Sequence, residues 1–188
     1  MKKVAAIIFL LTLTATSAIT QPAGDNERDL LSWNEFYKLQ WHDFEGLPGE
    51  NSIGDAGAVV QIKAKPFLVK KEIKYDVVAI FNRRKSWARD QSPSLLAHEQ
   101  LHFDIAELYA RKIRKKIKEL NRRGVNDIKT YNAAIHALLL ESNHADEQYD
   151  LETLHGGMSG RQAAWVEKVK TELASLHAYK RSRRIITR

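Results

Sequence analysis

Two histidines four residues apart, with a glutamate directly after the first, stand at His98-Glu99-Gln100-Leu101-His102. On an α-helix, residues four apart lie on the same face, one turn above one another. Two imidazoles so placed can both reach one tetrahedral metal ion. Zn²⁺ held by three protein groups keeps an open position and lowers the pKa of a water there to about 7. Glu99 lies about 100 degrees around the helix from His98. From there its carboxylate can reach the water without occupying the metal, take its proton as it attacks a carbonyl, and hand that proton to the leaving amine. The pattern points to metal-assisted hydrolysis, with His98 and His102 as ligands of one zinc ion and Glu99 as general base.

A third ligand is needed. The chain has no cysteine, so it must be His, Asp or Glu. The metzincin extension is absent, because Phe103-Asp104-Ile105-Ala106-Glu107-Leu108 follows His102. The segment from Asn143 to Gly156 is the richest source of ligand-type side chains. Spacing alone leaves the choice within it open.

The elements that must position these groups can be read from hydrophobic period. Ala58 to Lys65 and Phe67 to Asn82 read as strands separated by Pro66. The second places Phe67, Val69, Ile73, Tyr75, Val77, Ala79 and Phe81 on one face. After Ser92-Pro93-Ser94, a helix-start signal, the period changes. His98, His102, Ile105, Tyr109, Ile113, Ile117 and Leu120 then form one stripe on a helix ending near Asn121 to Gly124. A second helix is expected over Lys129 to Thr153, with Tyr131, Ile135, Leu138, Ser142, Ala145 and Tyr149 inward. A third is expected from Gln162 to Tyr179, burying Trp165, Val166, Val169, Leu173 and Leu176. The basic run Arg111, Lys112, Arg114, Lys115, Lys116 and Lys118 is expected on the solvated face of the first helix. The fold class is therefore α+β: a small antiparallel sheet followed by three helices.

Length, 188 residues, allows one domain with a real core. Met1-Lys2-Lys3, the apolar run Val4 to Leu13 and Thr16-Ser17-Ala18 form the pattern of a cleaved secretory signal peptide over residues 1–18. The expected order is then a leader at 19–38, a catalytic domain at 39–179 and a basic tail at 180–188. Export to the periplasm or beyond follows, and it makes nucleic acid an unfitting partner. The formal charge of +7 includes Lys2 and Lys3, so the mature chain stays basic. That balance and the tail favour an anionic envelope surface. The oligomeric state is not encoded in these features.

Beyond the first motif, several further pieces stand in order along the chain: Trp41-His42-Asp43-Phe44-Glu45-Gly46, Phe81 with Ser86-Trp87, Leu95 to Glu107, Tyr149-Asp150-Leu151-Glu152-Thr153-Leu154-His155-Gly156, and Gln162 with Trp165. In this the chain resembles the bacterial predicted secreted zinc-dependent proteases grouped as domain of unknown function 922, over roughly Leu39 to Leu173. The resemblance implies a zincin-like active-site helix with His98 and His102 as ligands and Glu99 as base. Within the motif that carries it, His155 is favoured as third ligand, since Gly156 suits a sharp helix end. Asp150 and Glu147 are the alternatives, Asp150 also as a partner fixing an imidazole tautomer. Tyr149 is a candidate donor to the oxyanion of the tetrahedral intermediate. The expected substrate is a peptide or protein. A metal-dependent amidase of the cell envelope, or a non-enzymatic envelope-binding protein, are the competing readings.

Overall fold

Apolar alternation along Ile73, Tyr75, Val77, Ala79 and Phe81 produces the central strand of the sheet, because alternate side chains of a strand share one face. The computed structural model describes residues 26–50, 52, 54–70 and 72–181. The expected signal peptide, the leader up to residue 25 and the tail from residue 182 lie outside the described residues.

Strand β1 (Leu30–Ser32) precedes two-residue β2 (Ala56–Gly57), then β3 (Val60–Val69), β4 (Glu72–Asn82) and two-residue β5 (Trp87–Ala88). The main sheet is antiparallel in the order β1-β4-β3, and β2 pairs with β5. In β3–β4 the register runs from Val60↔Phe81 to Val69↔Glu72. The chain therefore reverses after Val69, with Lys70 at φ 49°, and not at Pro66. Pro66 sits within β3, an edge strand among the described residues. An edge strand can accommodate a residue without an N–H donor. The later turn moves Phe67 onto the face opposite Ile73, since Phe67 pairs with Lys74 and Leu68 with Ile73. β1 lies inside the stretch expected as leader: Leu31 pairs with Phe81, and the Trp33 indole N–H donates to Asp104 Oδ1 at 2.7 Å.

Helix α1 (Pro93–Arg122) begins as its sequence signals. Ser92 Oγ accepts from the Leu95 N–H, and proline occupies the first turn, where its missing donor costs nothing. Helix α2 (Ile128–Thr153) is capped by Asp127, whose carboxylate accepts from the N–H groups of Lys129 and Thr130. Helix α3 (Ser159–Ser175) and a 3-10 turn at His177–Tyr179 complete the described chain.

Helix α1 packs on the sheet and on both other helices. One apolar core joins Val77, Ala79 and Phe81 of β4 to Phe103, Ala110, Ile113 and Ile117 of α1 and Tyr131 and Ile135 of α2. Each such large side chain contributes about 1.5–3 kcal/mol on burial. A second cluster (Leu101, Ile105, Tyr149, Trp165 and Val169) ties α1, α2 and α3 together. Val166, expected inward, is exposed.

Arg111 and Arg114 also depart from the solvated face expected for them. Arg111 is 3% exposed and donates to Glu107 Oε1 and to the Leu173 carbonyl. Arg114 donates to Glu107 and to the carbonyls of Val77 and Tyr179. Glu107, itself 2% exposed, neutralises part of that charge. The network pins α1 to β4 and to the chain's C-terminal turn.

Candidate metal centre

The four-residue spacing of His98 and His102 puts both imidazoles on one face of α1, and α2 meets that face with a carboxylate pair at the same spacing. His98 Nε2 lies 3.0 Å from Asp150 Oδ1, and His102 Nε2 lies 3.1 Å from the same oxygen. The two Nε2 atoms are 3.2 Å apart. The rings stand edge to face, at 89°. Both are buried, at 2% and 7% exposure, while Asp150 is half-buried. His98, His102 and Asp150 can hold a metal ion. A zinc ion at about 2.0–2.1 Å from each of three atoms so spaced would see them at angles of roughly 100 degrees, close to tetrahedral.

The outer nitrogens of the rings are occupied as well. His102 Nδ1–H donates to Asp146 Oδ1 at 2.6 Å, and His98 Nδ1 lies 3.2 Å from Gln162 Oε1. Such partners orient imidazole ligands and raise their basicity. Asp146 was not singled out by the sequence, though it sits four residues before Asp150 on the same helix face.

His155, favoured as third ligand from the sequence, does not join the cluster. The third member of the group that could hold an ion is Asp150, the alternative. Leu154, His155 and Gly156 follow one another in the left-handed region, at φ 48°, 51° and 86°. They turn the chain sharply out of α2. The His155 side chain ends 67% exposed, with Nδ1 3.5 Å from Asp150 Oδ1. Gly156 is required here twice over, by its φ and by the His98 ring, since an added Cβ would lie 3.1 Å from His98 Cγ. Glu147, the other alternative, is exposed and outside the cluster.

Tyr149 is fully buried beneath the imidazoles. Its ring stacks on His98 with centroids 4.7 Å apart and meets His102 edge-on at 5.0 Å. Its hydroxyl donates toward the His98 carbonyl and Gln162 Oε1, at 3.4 and 3.3 Å. The expected role as oxyanion donor does not fit that orientation, and Tyr149 instead supports both rings from behind. Burial pushes its hydroxyl pKa well above the usual range, assisted by the charges of Asp150 and Glu99.

Glu99 is 3% exposed. Its Oε2 accepts from the Ala58 N–H at 2.7 Å. Burial raises its pKa, opposed by the positive charge of His102 and His98 and by that hydrogen bond. Ala58 is itself fixed by the motif around Ser86. The Val59 N–H donates to Ser86 Oγ at 2.9 Å, and Ser86 Oγ–H donates to the Asn82 carbonyl at 2.7 Å. The Trp41-to-Gly46 segment locks the same corner: Glu45 N–H and Gly46 N–H donate to the Arg83 and Ser86 carbonyls, and Asp43 pairs with Arg83. Gly46 leaves no room for a side chain, as an added Cβ would lie 2.7 Å from the Arg84 carbonyl oxygen. Motifs far apart in sequence thus set the position of one backbone N–H, and through it the Glu99 carboxylate.

The electrostatics make a testable statement about pH. Burial alone would lower the His102 pKa, but the hydrogen bonds and charges of Asp146 and Asp150 outweigh it and raise the value from 6.5 to about 10. Asp150 is held well below the usual carboxylate range: burial opposes this, but the hydrogen bonds of His102 and His98 win. A raised folded-state pKa contributes stability that is full below the unfolded value and lost as pH rises through the folded one. Chelator-treated protein should therefore lose thermal stability between about pH 6.5 and 10. Zinc-treated protein should lose less, because bound metal replaces the proton. Thermal unfolding across that range checks this, and parallel curves for the two samples would contradict it.

No curated protein and no solved structure matches this chain. Residues 77–156 match the model of a family described as a bacterial protein of unknown function (DUF922), a segment that runs from β4 to the turn after α2 and contains His98, Glu99, His102, Asp146, Asp150 and His155.

Proposed function

We propose that this chain is an exported zinc-dependent hydrolase that cleaves peptide bonds. The observation that carries this is the convergence of His98 Nε2, His102 Nε2 and Asp150 Oδ1 within 3.0 to 3.2 Å of one another, next to a buried glutamate whose carboxylate is fixed by a backbone N–H. Asp150 shares protons with both imidazoles at that spacing, and a cation can take the place of those protons. Two nitrogens and one oxygen suit zinc.

Zinc bound there would supply Lewis-acid activation of a water molecule and a carbonyl. His98, His102 and Asp150 would hold the ion. Asp146 accepts from His102 and keeps its ring oriented. Glu99 takes the proton from the attacking water and returns it to the leaving amine, so the peptide C–N bond breaks as the C–O bond forms. Burial favours this role, since a base with a raised pKa holds the proton long enough to deliver it. His155 stands exposed beside Asp150, where an incoming substrate would meet it.

The N-terminal signal pattern supports export, and the basic tail supports residence near anionic envelope material. Incubation of the mature, zinc-loaded protein with casein and a peptide library should give cleavage products that a chelator abolishes. If casein and peptides stay intact while cell-wall material loses amide bonds, the substrate is an envelope polymer and the peptidase reading falls.

A further inference from the structure

We infer that Gln162 of α3 is a positioning residue that selects the tautomer of His98, and so decides which of its nitrogens faces the metal. This rests on the metal-site reading above and adds a residue that lies beyond the matched segment 77–156.

Gln162 is 9% exposed, and its side-chain amide touches three polar groups. Its Nε2 lies 3.4 Å from the Ser94 carbonyl, which can only accept. That contact fixes the amide: nitrogen toward Ser94, oxygen toward the site. Gln162 Oε1 then accepts from the Tyr149 hydroxyl at 3.3 Å and faces His98 Nδ1 at 3.2 Å. An amide oxygen cannot donate, so His98 Nδ1 must carry the hydrogen. Its Nε2, 3.0 Å from Asp150 Oδ1, is then the nitrogen that can give up its proton to a metal ion and turn a lone pair to the point shared with His102 and Asp150. A Cβ added at Gly156 would lie 3.1 to 3.3 Å from His98 Cγ, Cβ and Nδ1, so only glycine leaves the ring its place there.

Helix α3 is itself anchored to the site. The Trp165 indole N–H donates to Glu152 at 2.7 Å, and its ring packs on Tyr149 at 5.5 Å. Gln162 therefore reaches His98 from a fixed helix. The two imidazoles are set by different means: His102 by a carboxylate on α2, and His98 by a neutral amide on α3. A neutral partner at His98 limits the negative charge gathered around the ion.

The test is zinc affinity, measured by chelator competition on the full mature chain. Gln162→Met keeps length and apolar volume but removes the acceptor. Gln162→Glu keeps an acceptor for Nδ1–H. The inference predicts that Gln162→Met binds zinc about 10- to 100-fold more weakly than the unsubstituted protein, with Gln162→Glu closer to it. A merely structural role predicts the reverse order, because methionine packs better than a buried carboxylate. Equal zinc affinity in Gln162→Met, or weaker binding in Gln162→Glu than in Gln162→Met, overturns the inference. Should neither variant fold, ¹⁵N NMR of the zinc-loaded unsubstituted protein decides. His98 must show a protonated Nδ1 and a ligating Nε2, and the opposite assignment overturns it. An unsubstituted protein that takes up no zinc defeats the metal-site reading itself, which separates the two failures.

Discussion

Glu99→Gln is expected to leave zinc binding within a few-fold of the unsubstituted protein and to lower kcat by about 10²- to 10⁴-fold, the range that a positioned general base contributes. The asymmetry follows from the site. Glu99 is not among the three converging groups, so the ion does not depend on it. The substitution is nearly isosteric, and the glutamine oxygen can still accept from the Ala58 N–H that holds Glu99. What is lost is the capacity to bind a proton. Paired metal analysis and steady-state kinetics on a cleaved substrate check both halves. A variant with full turnover would remove Glu99 from the chemistry, and one that loses zinc would make it a ligand.

Asp150→Ala should have the largest effect on the metal. Removing it leaves two imidazoles and no negative charge at the point of convergence. A loss of zinc affinity exceeding the roughly 10- to 100-fold typical of residues behind the ligands is expected. Asp146→Asn, which weakens the hydrogen bond to His102 Nδ1, should fall within that range. His155→Ala should change zinc affinity less than about threefold, because that ring is exposed and lies outside the cluster. Chelator competition gives the order directly. A strong loss in His155→Ala with little change in Asp150→Ala would reverse the ligand assignment drawn from the geometry.

The contrast between these two residues marks the limit of what spacing reveals. Along α1, His98 and His102 were legible because a four-residue interval on a helix forces one face, and the apolar stripe that continues to Leu120 shows that this face turns inward. The three helices were legible for the same reason, with a start signal at Ser92 for the first, while the Asp127 cap of the second was not singled out. Asp150 was harder. It lies beside the inward stripe of α2, one position after Tyr149, and only the docking of α2 on α1 brings it to the imidazoles. His155 was attractive because it neighbours a glycine, but three successive left-handed residues carry it outward. A signal for the observed cluster was present: Asp146 and Asp150 repeat on α2 the interval of His98 and His102 on α1.

The sheet shows a second limit. Pro66 reads as a break in sequence, yet β3 passes through it because that strand lies at an edge. The position of Glu99 depends on Ala58, Ser86 and the Trp41-to-Gly46 segment, a set joined by backbone hydrogen bonds that no local pattern encodes. Arg111 and Arg114 looked like members of a solvated basic face. Glu107, four and seven residues before them, is what draws them inward.

Equilibrium dialysis of the mature chain against micromolar zinc at neutral pH, followed by metal analysis, addresses the site most directly. One zinc ion per chain is expected, falling to none in a His98→Ala, His102→Ala double variant. A protein that emerges without zinc under those conditions contradicts the assignment of these three groups as a metal centre.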